Sequence, residues 1–174
     1  CDMFIVRHSS SGTPHYIAKE VGDKISIINA GDGIHAHPTQ AMLDMYTIKK
    51  HKGGFENLNV SIVGDILHSR VAKSLIASLK ILSVANINII GPKNLMPENI
   101  NELGVNYFSN LEEGINNVDV IIMLRLQQER MKEAFISTED YYNDYGLTKK
   151  KIELAKKDVI VMHPGPINRG IEID

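Results

Sequence analysis

The sequence predicts an α/β protein with parallel sheets flanked by helices, and three observations carry that expectation. Short runs rich in β-branched and other apolar residues at 60–63, 87–90 and 118–124 read as strands buried on both faces, the habit of parallel sheets. Segments with helical spacing lie between such runs, as over 71–82, where Val71, Leu75, Leu79 and Leu82 form one apolar stripe. Glycine, proline and asparagine turn signals bound the strands, and no repeat at solenoid periods competes with this layered arrangement.

The elements follow in order. Residues 3–6 form a short strand running into Arg7-His8, and 9–14 a loop in which Pro14 suits the first helical position. A short helix is expected over 15–21 and a strand over 25–28, followed by a glycine-rich turn at 29–33 that lets backbone approach a ligand closely. His37-Pro38-Thr39-Gln40 opens a helix with Ala41, Met42, Met45 and Ile48 as its buried face, stopped by Gly53-Gly54. The composition shift over 51–54 is a candidate domain boundary. Strand 60–63 and helix 71–82 come next, with Arg70 between them. A strand over 87–90, a short helix over 97–103, a strand over 105–108 and a helical turn over 111–116 follow. The run 118–124 has the strongest strand character and is expected to be central. Residues 131–145, polar and aromatic without a clean period, read as a long mobile functional loop. Thr148 caps a helix over 149–156, and 159–162 is the last strand, ending at His163-Pro164-Gly165-Pro166.

The totals exclude several classes. At 174 residues the chain can bury a core in one domain or parts of two. With 19 basic against 21 acidic residues it carries no footprint for nucleic acid or an anionic membrane. The single cysteine, Cys1, forms no internal disulfide, which suits a reducing, cytoplasmic compartment. No apolar run approaches the roughly 18 residues of a membrane span, and residues 1–3 do not resemble a signal peptide. Position 1 is not Met and the chain enters a strand almost at once, so the first residue is read as not the natural start.

Arg7, Arg70, Arg125 and His163 stand directly after strands, and His37 and Gln40 come after another by one glycine turn. In a parallel sheet those strand ends share one edge, the side on which open α/β sheets bind ligands. The pattern points to a small anionic substrate gripped from several loops. His37 and Gln40, three apart, project the same way from the helix start. Arg70 taken alone is a surface arginine at a helix start, and the Lys149-Lys150-Lys151 run a solvated one. His8, His15, His35 and His37 lack Cys or carboxylate partners at metal-binding spacing, so hydrogen-bonded histidines are preferred to a metal site. Val63-Gly64-Asp65 is not a dinucleotide fingerprint, and no serine or cysteine occupies a nucleophile elbow. No cofactor is expected.

These phrases, with Val6-Arg7-His8, Asn29-Ala30-Gly31-Asp32-Gly33, His37-Pro38-Thr39-Gln40 followed by Leu43-Asp44, Ser69-Arg70, Arg125-Leu126-Gln127 with Glu129-Arg130, and His163-Pro164-Gly165-Pro166, occur in the order found in the aspartate carbamoyltransferase catalytic chain, which the sequence resembles from end to end. The resemblance implies a Rossmann-like carbamoyltransferase fold: residues 1–36 as the end of a carbamoyl phosphate-binding domain, 37–54 as a linking helix and 55–174 as an aspartate-binding domain. It implies carbamoyl transfer from carbamoyl phosphate to L-aspartate, in de novo pyrimidine biosynthesis, without a metal. Arg7 would touch a phosphate oxygen and the carbonyl, His37 would donate to the carbonyl oxygen, and Gln40 would hold the carbamoyl amide. Arg70 and Arg125 would bind the two carboxylates of aspartate, with Gln127 supporting. The carbonyls of Gly165 and Pro166 would accept from the carbamoyl NH2 and help orient the attacking amine, and their peptide falls at the family's cis position. A homotrimer with shared active sites is implied; regulatory chains stay open. The family's Ser-Thr-Arg-Thr phosphate loop, a Ser/Lys loop lent by a neighbouring subunit and the C-terminal helices have no counterpart here. The activity is therefore expected of a longer parent chain, and the segment alone to be inactive. The alternatives are ornithine carbamoyltransferase, which shares His-Pro-x-Gln, and a non-catalytic assembly domain of the same fold.

Overall fold

A computed structural model describes residues 1–126 and 137–174. Every named strand pairing is parallel, in two sheets. The first holds β1 (Met3–His8) and β2 (Ser26–Asp32), linked by α1 (Thr13–Val21) with Pro14 in its first turn. β2 continues through Asn29-Ala30-Gly31, so the glycine turn predicted at 29–33 begins later: pairing with β1 holds those residues extended. α2 (Pro38–Lys52) follows, closed by Gly53 in the left-handed conformation. Its buried face is Ala41, Asp44, Met45 and Ile48. Met42, predicted inside, is 62% exposed, and Asp44 takes the inward position instead.

The second sheet has the order β5-β4-β3-β6-β7: β3 (Asn59–Val63), β4 (Asn86–Ile90), β5 (Asn106–Phe108), β6 (Val120–Met123) and β7 (Ile160–Met162). The most apolar strand, β6, is interior, but β3 holds the middle. Apolar content reports burial on both faces, which both strands share, and not rank in the sheet. On one face Val60 and Ile62 pack with Met45 and Ile48 of α2 and with Ala72, Leu75 and Leu79 of α3 (Arg70–Ile81). On the other, Val63, Ile121 and Met123 meet Leu111 and Ile115 of α4 (Leu111–Ile115), and Tyr141 and Tyr145 of α5 (Thr138–Tyr145).

Four local expectations are corrected. Residues 138–145, part of the predicted loop 131–145, form α5; the predicted residues 131–136 lie outside the described ones. Ser137 Oγ accepts from the Asp140 N–H and donates to its carboxylate at 2.6 Å, which starts the helix despite its weak period. The helix predicted at 97–103 is a 3₁₀ turn, Ile100–Leu103, with another at Lys93–Leu95. The helix after the Thr148 cap, α6 (Lys149–Ile152), has four residues rather than eight. Lys151 is not a purely solvated charge: its Nζ donates to the carbonyls of Asn143 (2.7 Å) and Gly146 (3.1 Å), satisfying acceptors at the end of α5.

Chain direction reverses across β3. After β3 the chain crosses through α3 to β4 and β5, then returns to place β6 on β3's other side. Val63 and Met123 are paired at the carboxyl ends of these neighbours, so the two segments leaving the strands emerge side by side. This is the switch point where open α/β sheets take their ligands.

Candidate active site

Arg70 is placed by a cap. Ser69 Oγ accepts from the Ala72 N–H (3.2 Å), which starts α3 with Arg70 as its first residue. The guanidinium reaches across to the first sheet, where Nη1 donates to the Gly33 carbonyl at 3.1 Å. It lies so close over Gly31 (φ +135°) that a Cβ there would stand 2.9 Å from Nη2. Lys73, one turn on, donates to the Ile34 carbonyl at 3.1 Å. Helix α3 of the second sheet is thus fastened to the turn beyond β2 by two cationic side chains.

His37 sits immediately before α2, its N–H donating to Ser74 Oγ on α3 (2.9 Å). Its Nε2 faces Arg7 Nη1 at 3.4 Å and its Nδ1 faces Thr39 Oγ1 at 3.3 Å. Arginine only donates, so in this arrangement Nε2 accepts and Nδ1 carries the proton. The Thr39 hydroxyl, able to donate or accept, supports the other tautomer equally. Burial, then the charges of Arg70 and Arg7, hold the His37 imidazole below its ordinary range, so it is neutral at neutral pH. One turn along α2, Gln40 Nε2 donates to Asp44 Oδ1 at 3.0 Å.

Arg7, His37, Gln40, Arg70 and Arg125 line one cavity of about 260 Å³ with Pro164, Gly165 and Pro166. Arg125 stands just beyond β6, with one residue between, and the 164–166 turn lies just beyond β7. The Gly165–Pro166 peptide is cis. Ser69, Val71 and Leu124 complete the wall, none of them expected from sequence as a site residue. Arg7, expected just after a strand, lies within β1, and Arg70 stands seven residues beyond β3. Gln127 lies outside the described residues.

His163, grouped with the cationic grips, faces elsewhere. Its Nδ1 accepts from the Gly165 N–H at 2.8 Å, which leaves Nε2 to donate to the buried Glu172 at 3.3 Å. The imidazole therefore shapes the 164–166 turn from behind. Two further histidines are held locally: His35 Nδ1 meets Asp32 at 2.8 Å and His8 Nδ1 accepts from the Ser10 N–H at 3.0 Å. Burial pushes the Asp32 carboxyl up, but hydrogen bonds from His35 and Gly12 outweigh it and hold the group below its ordinary range.

Arginines, a neutral imidazole and a carboxamide around one cavity of an α/β protein are the chemistry suited to a small anion. The sequence is more specific. Residues 56–174 match the Asp/Orn binding domain of aspartate/ornithine carbamoyltransferase, and residues 1–50 match its carbamoyl-P binding domain. The chain belongs to the aspartate/ornithine carbamoyltransferase family. Among solved structures it is similar to aspartate transcarbamoylase from Trypanosoma cruzi. The complex with phosphate is 30% identical, with a TM-score of 0.84, covering 99% of this chain and 58% of that one. The complex with carbamoyl aspartate and phosphate is 31% identical (TM-score 0.84; 99% and 56%). The complex with carbamoyl phosphate and aspartate is 30% identical (TM-score 0.84; 99% and 58%). The chain therefore spans a little over half the length of the proteins it matches.

Proposed function

We propose that the whole protein transfers the carbamoyl group of carbamoyl phosphate to the amino group of L-aspartate, giving N-carbamoyl-L-aspartate and phosphate. The observation that carries this reading is the convergence of Arg7, His37, Gln40, Arg70, Arg125 and the 164–166 turn on one cavity. Its chemistry suits a dianionic amino acid beside a polarised carbonyl. Ornithine carries an amine where aspartate has its side-chain carboxylate, so two pocket arginines favour aspartate. We divide the chain into the end of a carbamoyl phosphate domain (1–36), a linking helix (37–54) and an aspartate domain (55–174). The parent chain is read as a cytoplasmic homotrimer with shared sites, its product feeding pyrimidine synthesis.

In the proposed reaction the neutral amine of aspartate attacks the carbamoyl carbon and charge builds on the carbonyl oxygen. Arg7 and the Nε2–H tautomer of His37 donate to that oxygen. The latter requires Arg7 to release Nε2 and Thr39 to donate to Nδ1, which the hydroxyl permits. Loss of one such donor typically costs about 10²–10³ in rate. The tetrahedral intermediate collapses as the C–O bond to phosphate breaks, and the proton lost by the amine leaves with phosphate. Holding two anions together makes positioning a large share of the catalysis.

The test is kinetic, in the full-length parent. Arg70→Ala and Arg125→Ala should each raise the aspartate concentration for half-saturation by about 10–100-fold, the value of one charge-assisted contact. Carbamoyl phosphate saturation should change much less. Unchanged aspartate saturation would favour an assembly domain, and a wild-type preference for ornithine would favour the sister enzyme.

A further inference from the structure

Asp44 lies outside the cavity wall, on the inward face of α2, and is 5% exposed. An acidic group among Ala41, Met45 and Ile48 is costly to bury unless it serves a purpose. Its Oδ1 accepts from Gln40 Nε2 at 3.0 Å, while its Oδ2, also buried, has no hydrogen-bond partner among the described residues. Among the described residues, position 44 therefore hydrogen-bonds to one group, the carboxamide of a cavity-lining residue. The chemistry of that contact is directional. An ionised carboxylate only accepts, so Gln40 must turn its NH2 toward Asp44, and its Oε1 is left for the cavity. With the amide reversed, two oxygens would face each other across the same 3.0 Å.

We propose that Asp44 is a specificity-determining positioning residue: by fixing the Gln40 carboxamide with its oxygen toward the cavity, it selects a ligand that presents an N–H there, a carbamoyl group over an acyl group of the same shape. This rests on the proposed function and adds the device that tells NH2 from CH3. The Gly165 and Pro166 carbonyls, assigned the same amide, supply a share of the selection that does not depend on Asp44.

The test compares two stable ligands of equal shape in the full-length protein, phosphonoacetamide and its methyl ketone counterpart acetonylphosphonate, by titration calorimetry. Wild type should prefer the amide. Asp44→Leu frees the Gln40 carboxamide, and the preference should fall about five- to tenfold, the value of one hydrogen bond. The exchanged pair Asp44→Asn with Gln40→Glu should recover it: the asparagine NH2 donates to one oxygen of the glutamate and the other faces the cavity. A charged residue 40 weakens both anions alike, so the ratio is the readout. Should Asp44→Leu not fold, Asp44→Asn serves, with a smaller fall because asparagine can hold Gln40 either way round. Wild type without preference would overturn the carbamoyl reading and this inference with it. A preference undiminished in Asp44→Leu, or a loss that the exchanged pair does not recover, would overturn the inference and leave the carbamoyl reading standing.

Discussion

His37 sets the acid side of the proposed activity. Burial and the neighbouring guanidinium groups of Arg70 and Arg7 depress its imidazole from the ordinary value of 6.5. The neutral form therefore persists below that pH, and loss of activity on acidification should begin lower than an ordinary histidine would give. Imidazole resonances should titrate below 6.5, and Arg70→Ala should raise the midpoint without restoring it fully, because burial is the larger cause. Asp44 moves oppositely. Burial lifts it from 3.8 to about 6, with the Gln40 hydrogen bond opposing. Between those values the folded chain binds more protons than the unfolded one, so this group lowers stability as pH rises through the interval. Asp44→Asn should then gain in Tm relative to wild type on going from about pH 4.5 to about pH 7.5. A difference that does not vary with pH would show that Asp44 titrates normally. The convergence of His37, Gln40, Arg70 and Arg125 was legible because strand ends in parallel sheets share an edge, although Arg7 lies within its strand and Arg70 seven residues beyond one, and the 164–166 turn came from the family resemblance. Thr39, Ser74 and Asp44 were not, since each acts through a hydrogen bond to another side chain or to another element's backbone, which spacing does not encode.

At the level of elements, the start of α3 joins folding to the cavity. Ser69→Ala removes the cap and should cost about 1 kcal/mol in denaturant unfolding. It should also weaken aspartate binding, since Arg70 is the next residue. Gly31→Ala acts from the other side. Its φ of +135° is disfavoured for alanine, and its methyl group would press on the Arg70 guanidinium. Weakened aspartate binding with a carbamoyl phosphate response close to wild type is expected; equal loss of both would argue for general disruption of β2. Helix α5 escaped the sequence reading because Tyr141 and Tyr145 give only two buried positions in eight residues. The Ser137–Asp140 cap was the signal available, and it is a matter of three residues rather than of period. Predicted α2 and α3 survived because each spans three turns or more with a buried stripe.

At the scale of these 174 residues, the two sheets differ in support. β3 and β6 are paired on both sides and buried on both faces, whereas β1 is largely exposed, with Ile5 at 72%. In the 174-residue segment by itself, amide exchange should be slowest in β3 and β6 and fastest in β1, because a two-stranded sheet has little independent stability. Equal protection across the two sheets would contradict this. The layered class was evident from alternating strands and helices, but the order β5-β4-β3-β6-β7 was not, since strand composition records burial and leaves neighbours unspecified. The seat of Arg70 carries an evolutionary consequence. Part of that seat is main chain, the Gly33 carbonyl and the bare backbone of Gly31. Replacement of surrounding side chains over generations leaves that part of the support chemically unchanged. For the proposed enzyme, two direct mutational routes to a new amino-acid preference on this side of the cavity are a change at position 70 itself and the loss of the glycine beneath it.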